Sequence, residues 1–304
     1  MINLCCVSDF NFLPNGLALY ESMKQFDSNF TLHYLCMDDE SFELLKELNE
    51  DIVAYPLSDF LNRDEALADL ATQDYRYFCW SLASYFTNYL MDKINENITY
   101  IDSDILFYDK IETVLNEIGS KDVGLFRHRQ YPLSHPNGNG WFNVGVVHFK
   151  NSDVAKELLS WWADAVLHKK HPELATCGDQ AYLDAFLFWN KKPWDWTFEH
   201  AENIFIDGNI GHGAPWHWQL YDYSSYFEDG CITWEGEKQK LVFSHFSDFE
   251  TNMQDDTYTA GLRHSGFTPQ KAYSSVPELK FIHDDYFSKL KEIRKKYNFT
   301  GDSV

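Results

Sequence analysis

Positive charge is scarce in this 304-residue chain. Its 25 Lys and Arg residues stand against 47 Asp and Glu residues, which gives a formal net charge of −22 at pH 7. Nucleic acids and anionic membranes are bound through clustered cations. The composition therefore excludes an extended surface for nucleic acid, and any phosphate bound by this chain needs a local cation or a metal ion.

Paired-cysteine motifs and long apolar runs are also missing. The six cysteines show no C-x-x-C spacing, and no secretory leader precedes the first predicted strand. No apolar run approaches the ~20 residues that are needed to cross a bilayer. We therefore expect reduced thiols and a cytoplasmic protein without a transmembrane segment.

Predicted strands and helices alternate along the first third of the chain. The hydrophobic periodicity predicts strands at 4–7, 31–36, 53–55, 98–101, 123–126, 144–149 and 240–243, and helices at 18–25, 41–49, 80–94, 153–167, 179–188 and 286–297. Alternation of this kind is typical of parallel sheets, so the sequence predicts an α/β fold. Ligands of open α/β sheets bind at the carboxyl edge of the strands.

One predicted strand ends in two carboxylates, Asp102 and Asp104. Residues i and i+2 of a strand share a face, so these side chains converge on one point. Two like charges this close repel each other unless a cation lies between them or one carboxyl keeps its proton. Carboxylate oxygens suit Mg²⁺ or Mn²⁺, which makes the pair a candidate metal site, with a polar turn as the alternative.

Two further segments carry candidate functional groups. His245 follows an apolar run, and a neutral imidazole as third ligand favours Mn²⁺ over Mg²⁺. Arg127, His128 and Arg129 form a local cationic cluster in an otherwise acidic chain, which is a candidate anion site or a set of surface salt bridges.

Three motifs follow one another in the chain: YIDSDILF at 100–107, FNVGVVHF at 142–149 and GDQAYL at 178–183. Together they resemble the motifs of GT-A-fold glycosyltransferases, and more closely those of glycosyltransferase family 8 and of bacterial nucleotide-diphospho-sugar transferases from polysaccharide loci. The resemblance implies an α/β fold with a mostly parallel central sheet flanked by helices and a loop-rich C-terminal part. It also implies metal-dependent transfer of a sugar from a nucleotide-sugar, a UDP-sugar, to a glycan or lipid-linked acceptor, with retention of configuration.

The resemblance further implies a role for each candidate residue. The metal ion, Mn²⁺ or Mg²⁺, is bound by Asp102, Asp104 and His245. The donor sugar is bound by Asn143, Gly145, Gly178, Asp179 and Gln180, of which Asp179 and Gln180 are the candidate catalytic residues that stabilise charge at the anomeric carbon. The nucleotide is bound by Val7, Ser8, Asp9, Phe12, Trp80 and Ser103. Contacts to phosphate or acceptor are assigned to Arg127, His128, Arg129 and Trp216.

Several of these residues also have a purely structural interpretation. Asn143 follows a glycine turn and can simply begin a strand. Gly145 has a functional interpretation instead, since a glycine lets a substrate approach the backbone closely. Asp179 can cap a helix, and Asp9 can form an Asx turn.

The predicted domain organisation has two parts. Residues 1–250 form the GT-A domain, with a nucleotide-binding half at 1–105 and a donor-sugar and acceptor half at 106–250. Residues 251–304 form a C-terminal extension with a basic amphipathic helix. The basic face of this helix is either solvated or in weak contact with an anionic membrane surface.

Two rival functions use the same features differently. A haloacid-dehalogenase-like, Mg²⁺-dependent phosphohydrolase also has a strand that ends in D-x-D, and the spacing of Gly178, Asp179 and Asp184 fits its G-D-x-x-x-x-D motif. In that family, however, the D-x-D follows the first strand, whereas here several predicted strands precede it. A non-enzymatic carbohydrate-binding protein would use the aromatic residues, which make up 17% of the chain.

Overall fold

The computed structural model describes residues 1–26, 29–48, 51–127, 142–171, 178–184, 204–206, 226–228, 231–234, 237–247, 249–259 and 278–299. The described elements are, in chain order, β1 (Ile2–Ser8), α1 (Leu13–Phe26), β2 (Phe30–Cys36), α2 (Asp39–Leu48), β3 (Ile52–Pro56), α3 (Ser58–Leu61), α4 (Glu65–Gln73), α5 (Tyr75–Ile94), β4 (Ile98–Ile101), β5 (Ile105–Phe107), α6 (Glu112–Ile118), β6 (Val123–Arg127), β7 (Phe142–Phe149), α7 (Asp153–Leu167), a 3₁₀ turn (Gln180–Asp184), β8 (Ile204–Ile206), β9 (Tyr226–Glu228), β10 (Cys231–Trp234), β11 (Glu237–Lys240), β12 (Phe243–His245), β13 (Glu250–Asn252), β14 (Thr257–Thr259) and α8 (Glu278–Lys296).

A seven-stranded sheet forms the centre of the described fold. Its strand order is β3-β2-β1-β4-β7-β6-β8, and only β7 runs antiparallel to its neighbours. β4 lies in the middle of this sheet, and the D-x-D follows its carboxyl end. The predicted α/β fold with a mostly parallel sheet is therefore confirmed.

Helices cover both faces of the sheet. Successive residues of a strand point to opposite faces, so each strand contributes side chains to the cores on both sides. Leu4 and Cys6 of β1 belong to one hydrophobic cluster, which also includes residues of α1 and α8. Cys5, between them, belongs to a second cluster with residues of α4, α5 and α7. Burial on both faces explains why the strands read as nearly continuous apolar runs.

Several predicted elements differ from the structure. The helices expected at 18–25 and 286–297 begin earlier, at Leu13 and Glu278. The helix expected at 80–94 begins at Tyr75, since Asp74 caps it by accepting a hydrogen bond from Tyr77 N at 3.1 Å. The strand expected at 240–243 is wrong, because Val242 lies between β11 and β12 and its carbonyl accepts from Tyr108 N at 2.7 Å. At 179–188, the described part of the expected helix is the 3₁₀ turn Gln180–Asp184.

The C-terminal helix α8 packs into the first hydrophobic cluster through Ile282, Tyr286, Leu290 and Ile293. Three residues of its basic face form ion pairs within the chain: Lys289 with Glu292, Lys291 with Asp256, and Lys296 with Glu21. These internal partners leave the predicted membrane contact without support. In the described part of the chain, no helix has both the length and the hydropathy to span a membrane.

Candidate active site

The two carboxylates of the D-x-D lie beside His245. β5 continues from Asp104 and pairs antiparallel with β12, so that His245 lies opposite Ile105. His245 Nε2 is 3.0 Å from Asp104 Oδ1 and 3.6 Å from Asp102 Oδ2. The three residues offer one ligand atom each, and these atoms lie within 4.8 Å of one another. The structure therefore brings together the three residues that were predicted to bind the metal.

The donor set of this cluster fits a divalent cation. Two carboxylate oxygens and one imidazole nitrogen are ligands that Mn²⁺ accepts, while Mg²⁺ prefers oxygen ligands alone. The side chain of His245 is 5% exposed, whereas those of Asp104 and Asp102 are 20% and 32% exposed. The histidine thus lies at the closed side of the cluster, and the carboxylates lie at its open side.

Tyr100 holds Asp102 in this arrangement, and the sequence interpretation did not identify it. Its hydroxyl donates to Asp102 Oδ1 at 2.8 Å. Burial raises the pKa of Asp102 to about 6; His245 and Tyr100 oppose this shift, and the negative charge of Asp104 adds to it. Strand alternation would have found Tyr100, because it precedes Asp102 by two residues and shares its face.

Gly145 joins the D-x-D to the second motif. Its carbonyl accepts a hydrogen bond from Asp102 N at 2.9 Å, and its own N–H donates to Asn143 Oδ1 at 2.5 Å. A Cβ atom at this position would lie 2.5 Å from Asn143 Oδ1 and 2.6 Å from His245 Nδ1. His245 and Asn143 therefore occupy the space that a side chain at position 145 would need, and the predicted approach of the substrate to Gly145 stays a prediction.

The third motif, at 178–183, contacts the second motif through Gln180. Asn143 Nδ2 donates to Gln180 Oε1 at 3.1 Å. Asp179 is buried, and its carbonyl accepts from Trp162 Nε1 at 3.1 Å. Burial, with the negative charge of Asp102 as the second cause, raises the pKa of Asp179 well above its ordinary value. The negative charges of Asp179 and Asp102 therefore repel each other.

Trp80 lies under this third motif. Gly178 has a φ of +72°, in the left-handed region that favours glycine. A Cβ atom there would also lie 2.5 Å from the indole of Trp80. Arg76 also contacts this ring, and its guanidinium carbon is 4.7 Å from the ring centroid. Trp80 therefore contacts the loop predicted to bind the donor sugar, as well as being a predicted nucleotide residue.

The residues predicted to bind the nucleotide follow β1. Ser8 is buried; its hydroxyl is 2.5 Å from that of Tyr34, and its carbonyl accepts from Met37 N. Asp9 Oδ1 accepts a hydrogen bond from Phe12 N at 3.0 Å, which is the Asx-type interaction predicted as the structural alternative for Asp9. Phe12 is 47% exposed, which leaves its ring face available to a base.

The remaining predicted residues give less information. Val7 and Ser103 are half-buried and buried, respectively. Arg127 ends β6 with its backbone opposite Phe142. His128, Arg129 and Trp216 lie outside the described residues. Their predicted contacts to phosphate or acceptor stay predictions.

Comparison with known proteins identifies the fold and leaves the family open. No family model matches the chain. The uncharacterized protein YfnF of Bacillus subtilis (strain 168) is 28% identical over 261 residues, which cover 81% of this chain and 80% of YfnF. YfnD of the same organism, also uncharacterized, is 24% identical over 241 residues, covering 77% and 73% of the two chains.

Among solved structures, an active-site mutant of LgtC matches 90% of this chain and 95% of its own with a TM-score of 0.51 and 12% identity. A complex of the galactosyltransferase LgtC with donor and acceptor sugar analogs matches 69% and 75% of the two chains at 12% identity, with a TM-score of 0.43. The sheet, its flanking helices and the first of these matches show that the chain has the GT-A fold of glycosyltransferases.

Proposed function

We propose that this protein is a metal-dependent glycosyltransferase that moves a sugar from a nucleotide-sugar donor to a glycan or lipid-linked acceptor. The observation that carries the proposal is the convergence of Asp102, Asp104 and His245 at the carboxyl edge of β4, directly beside Asn143 and Gln180. The GT-A fold supports it.

The chemistry assigns each part of the site a task. A divalent ion held by Asp102, Asp104 and His245 would stabilise the leaving diphosphate as a Lewis acid. Tyr100 orients Asp102 by its hydrogen bond, and the Gly145 carbonyl fixes the backbone of Asp102. With a net charge of −22 the chain as a whole repels a diphosphate, and a divalent ion would supply the local positive charge that offsets this repulsion.

Donor recognition follows from the neighbouring elements. In this proposal, a UDP moiety binds at the end of β1, where Asp9 and the exposed ring of Phe12 lie. The donor sugar binds beside Gln180 and Asp179. Retention of the anomeric configuration belongs to the same proposal, as does a role of the protein in polysaccharide biosynthesis.

A thermal-shift panel of nucleoside diphosphates and sugar nucleotides, with and without Mn²⁺, tests the proposal. A ligand at 100 times its Kd stabilises the folded state by about 2.7 kcal/mol, which raises the Tm by several degrees. D104N should abolish the Mn²⁺-dependent part of the shift. The matched variant D92N removes an exposed carboxylate of α5 and should leave the shift unchanged.

The panel also separates the rival functions. Absence of a shift with every nucleotide would reject the glycosyltransferase assignment. Metal-dependent release of phosphate from simple phosphoesters, lost in D102N, would instead identify a phosphohydrolase. Once a donor is known, NMR of the product's anomeric configuration tests retention, and an inverted product would reject that part of the proposal.

A further inference from the structure

The peptide that joins Asp9 to Phe10 is held by side chains at both of its polar groups. It follows β1 directly, where the proposed function places the nucleoside. Its carbonyl, that of Asp9, accepts a hydrogen bond from Ser8 Oγ at 3.1 Å. Its N–H, that of Phe10, donates to Asp38 Oδ2 at 2.6 Å. Because a peptide is planar, these two hydrogen bonds fix its orientation relative to β1.

A buried tyrosine of β2 supports the serine. A carbonyl oxygen can only accept, so the single proton of the Ser8 hydroxyl goes to the carbonyl of Asp9. The hydroxyl of Tyr34 lies 2.5 Å from Ser8 Oγ and must therefore donate to it. Tyr34 is 0% exposed and Ser8 is 5% exposed. The two hydroxyl groups thus form a directed chain from Tyr34 to the carbonyl of Asp9, closed off from solvent.

Helix α1 leaves room for the hydroxyl of Tyr34. Gly16 belongs to α1, although glycine disfavours a helix relative to alanine. A Cβ atom at position 16 would lie 2.7 Å from Tyr34 Cε2 and would collide with the hydroxyl of the same ring. The glycine is therefore explained by the space that this hydroxyl group needs.

Asp38 uses its two oxygens for different elements. Oδ2 accepts from Phe10 N, in the loop after β1. Oδ1 accepts from Ser41 N and from Ser41 Oγ, both at 2.8 Å, and so caps α2. An asparagine offers one oxygen and one NH₂ group, so it cannot accept at both positions.

We propose that Tyr34 and Asp38 are positioning residues that hold the Asp9–Phe10 peptide so that the carboxylate of Asp9 faces the nucleoside of the donor. This inference rests on the proposed function, and neither residue was identified from the sequence. Ser8, predicted to bind the nucleotide, acts instead as the link between Tyr34 and the peptide.

The carboxylate of Asp9 is suited to this contact. It is half-buried, and its Oδ1 accepts from Phe12 N at 3.0 Å. A carboxylate accepts up to about four hydrogen bonds, so Asp9 keeps the capacity to bind a ligand donor. In this proposal the donor is an N–H of the base or a hydroxyl of the ribose.

Calorimetry in the presence of Mn²⁺ separates the nucleoside from the diphosphate. The two ligands are inorganic pyrophosphate and whichever of UDP, CDP, GDP and ADP binds the wild-type protein most tightly. Y34F and D38N should each weaken binding of the nucleoside diphosphate by about three- to tenfold, the effect of one lost hydrogen bond. G16A should reproduce the effect of Y34F, because it displaces the same hydroxyl. Pyrophosphate binding should change less than twofold in all three variants, because pyrophosphate carries no nucleoside.

Two control variants remove comparable groups without releasing this peptide. S41A removes the hydroxyl that donates to Asp38 Oδ1 and leaves the contact to Phe10. Y20F removes a hydroxyl of α1 that donates to Asp51. Both should lower the Tm and leave the nucleotide affinity within twofold of the wild type. A loss of nucleotide affinity in S41A as large as in D38N would overturn the role of Asp38, because it would trace the effect to the cap of α2.

A double-mutant cycle decides whether Tyr34 acts through Asp9. D9N keeps an oxygen for Phe12 N and replaces the other by an NH₂ group, which cannot accept from the nucleoside. In the D9N background, Y34F should no longer weaken nucleotide binding. An equal loss in both backgrounds, or an equal loss of pyrophosphate binding, would overturn the positioning role and leave the glycosyltransferase assignment intact. Absence of binding of all four nucleoside diphosphates to the wild-type protein would overturn both.

Discussion

Substitution of Gly145 by alanine tests the assembly of the candidate metal centre with a single methyl group. The added Cβ would lie 2.6 Å from His245 Nδ1 and 2.5 Å from Asn143 Oδ1, whereas ordinary contacts begin near 3.4 Å. Both side chains must therefore move, by roughly 0.8 to 0.9 Å, unless the backbone of residue 145 shifts instead. Neither is free to do so at low cost, because Asn143 is held by Gly145 and Gln180, and His245 is buried in β12.

We expect two measurable consequences of G145A. Overpacking lowers the free energy of unfolding by about 1–3 kcal/mol. Displacement of His245 weakens Mn²⁺ binding by about 10- to 100-fold, the range found when the support of a metal ligand is lost. Titration of Mn²⁺ followed by electron paramagnetic resonance measures the affinity, and urea denaturation measures the stability.

Gly124 provides the matched control. A Cβ atom there would also be crowded, at 2.5 Å from Ile118 Cδ1, which is the tip of an aliphatic side chain outside the metal centre. G124A should lower stability while the Mn²⁺ affinity stays that of the wild type. An unchanged Mn²⁺ affinity in G145A would refute the proposed contact between Gly145 and the metal centre.

Three further outcomes are expected. Y100F removes the hydrogen bond to Asp102 and should weaken Mn²⁺ binding by about three- to tenfold, measured by the same titration; an unchanged affinity would mean that Tyr100 only packs. Y286L removes the ring stacked on Phe246 at 3.8 Å and should lower the free energy of unfolding, measured in urea, by about 2–4 kcal/mol. Y286F keeps the ring and should lower it by ~1 kcal/mol. Equal losses of stability in the two variants would contradict the importance of the stack. Burial lowers the pKa of three histidines to about 4: His33, His148 and His283. Because the unfolded chain takes up these protons near pH 6.5, stability should fall by roughly 1–2 kcal/mol per histidine between pH 7.5 and 5, and a flat urea midpoint over this range would be inconsistent with neutral buried rings.

The sequence predicted the α/β framework because its strands are buried on both faces. Apolar runs such as Ile98–Ile101 are recognisable without knowledge of their partners. The helix Asp153–Leu167 has the predicted bounds, and in the structure Ser152 caps it. The short β12 was misplaced, since its pairing with β5 depends on residues more than 130 positions apart, which no local pattern encodes.

The candidate site was predictable in its composition but not in its connections. The D-x-D and His245 were identified from residue type and position, and their proximity agrees with that prediction. Tyr100 could have been found from strand alternation, whereas the close approach of His245 to Gly145 depends on packing between β12 and β7, which are far apart in the sequence. Periodicity gives the face of a side chain but not the partner that it meets there.

The C-terminal helix has a consequence for how the protein is made. Asn15 of α1 hydrogen-bonds to Tyr286 of α8 across 271 positions, and Tyr286 covers Phe246, the neighbour of His245. During synthesis, the candidate metal ligands leave the ribosome before the helix that completes their hydrophobic support. We therefore expect a nascent chain that ends before α8 to expose the apolar surface that this helix covers and to depend on chaperones, so that competence for metal binding arises only after α8 has left the ribosome and packed.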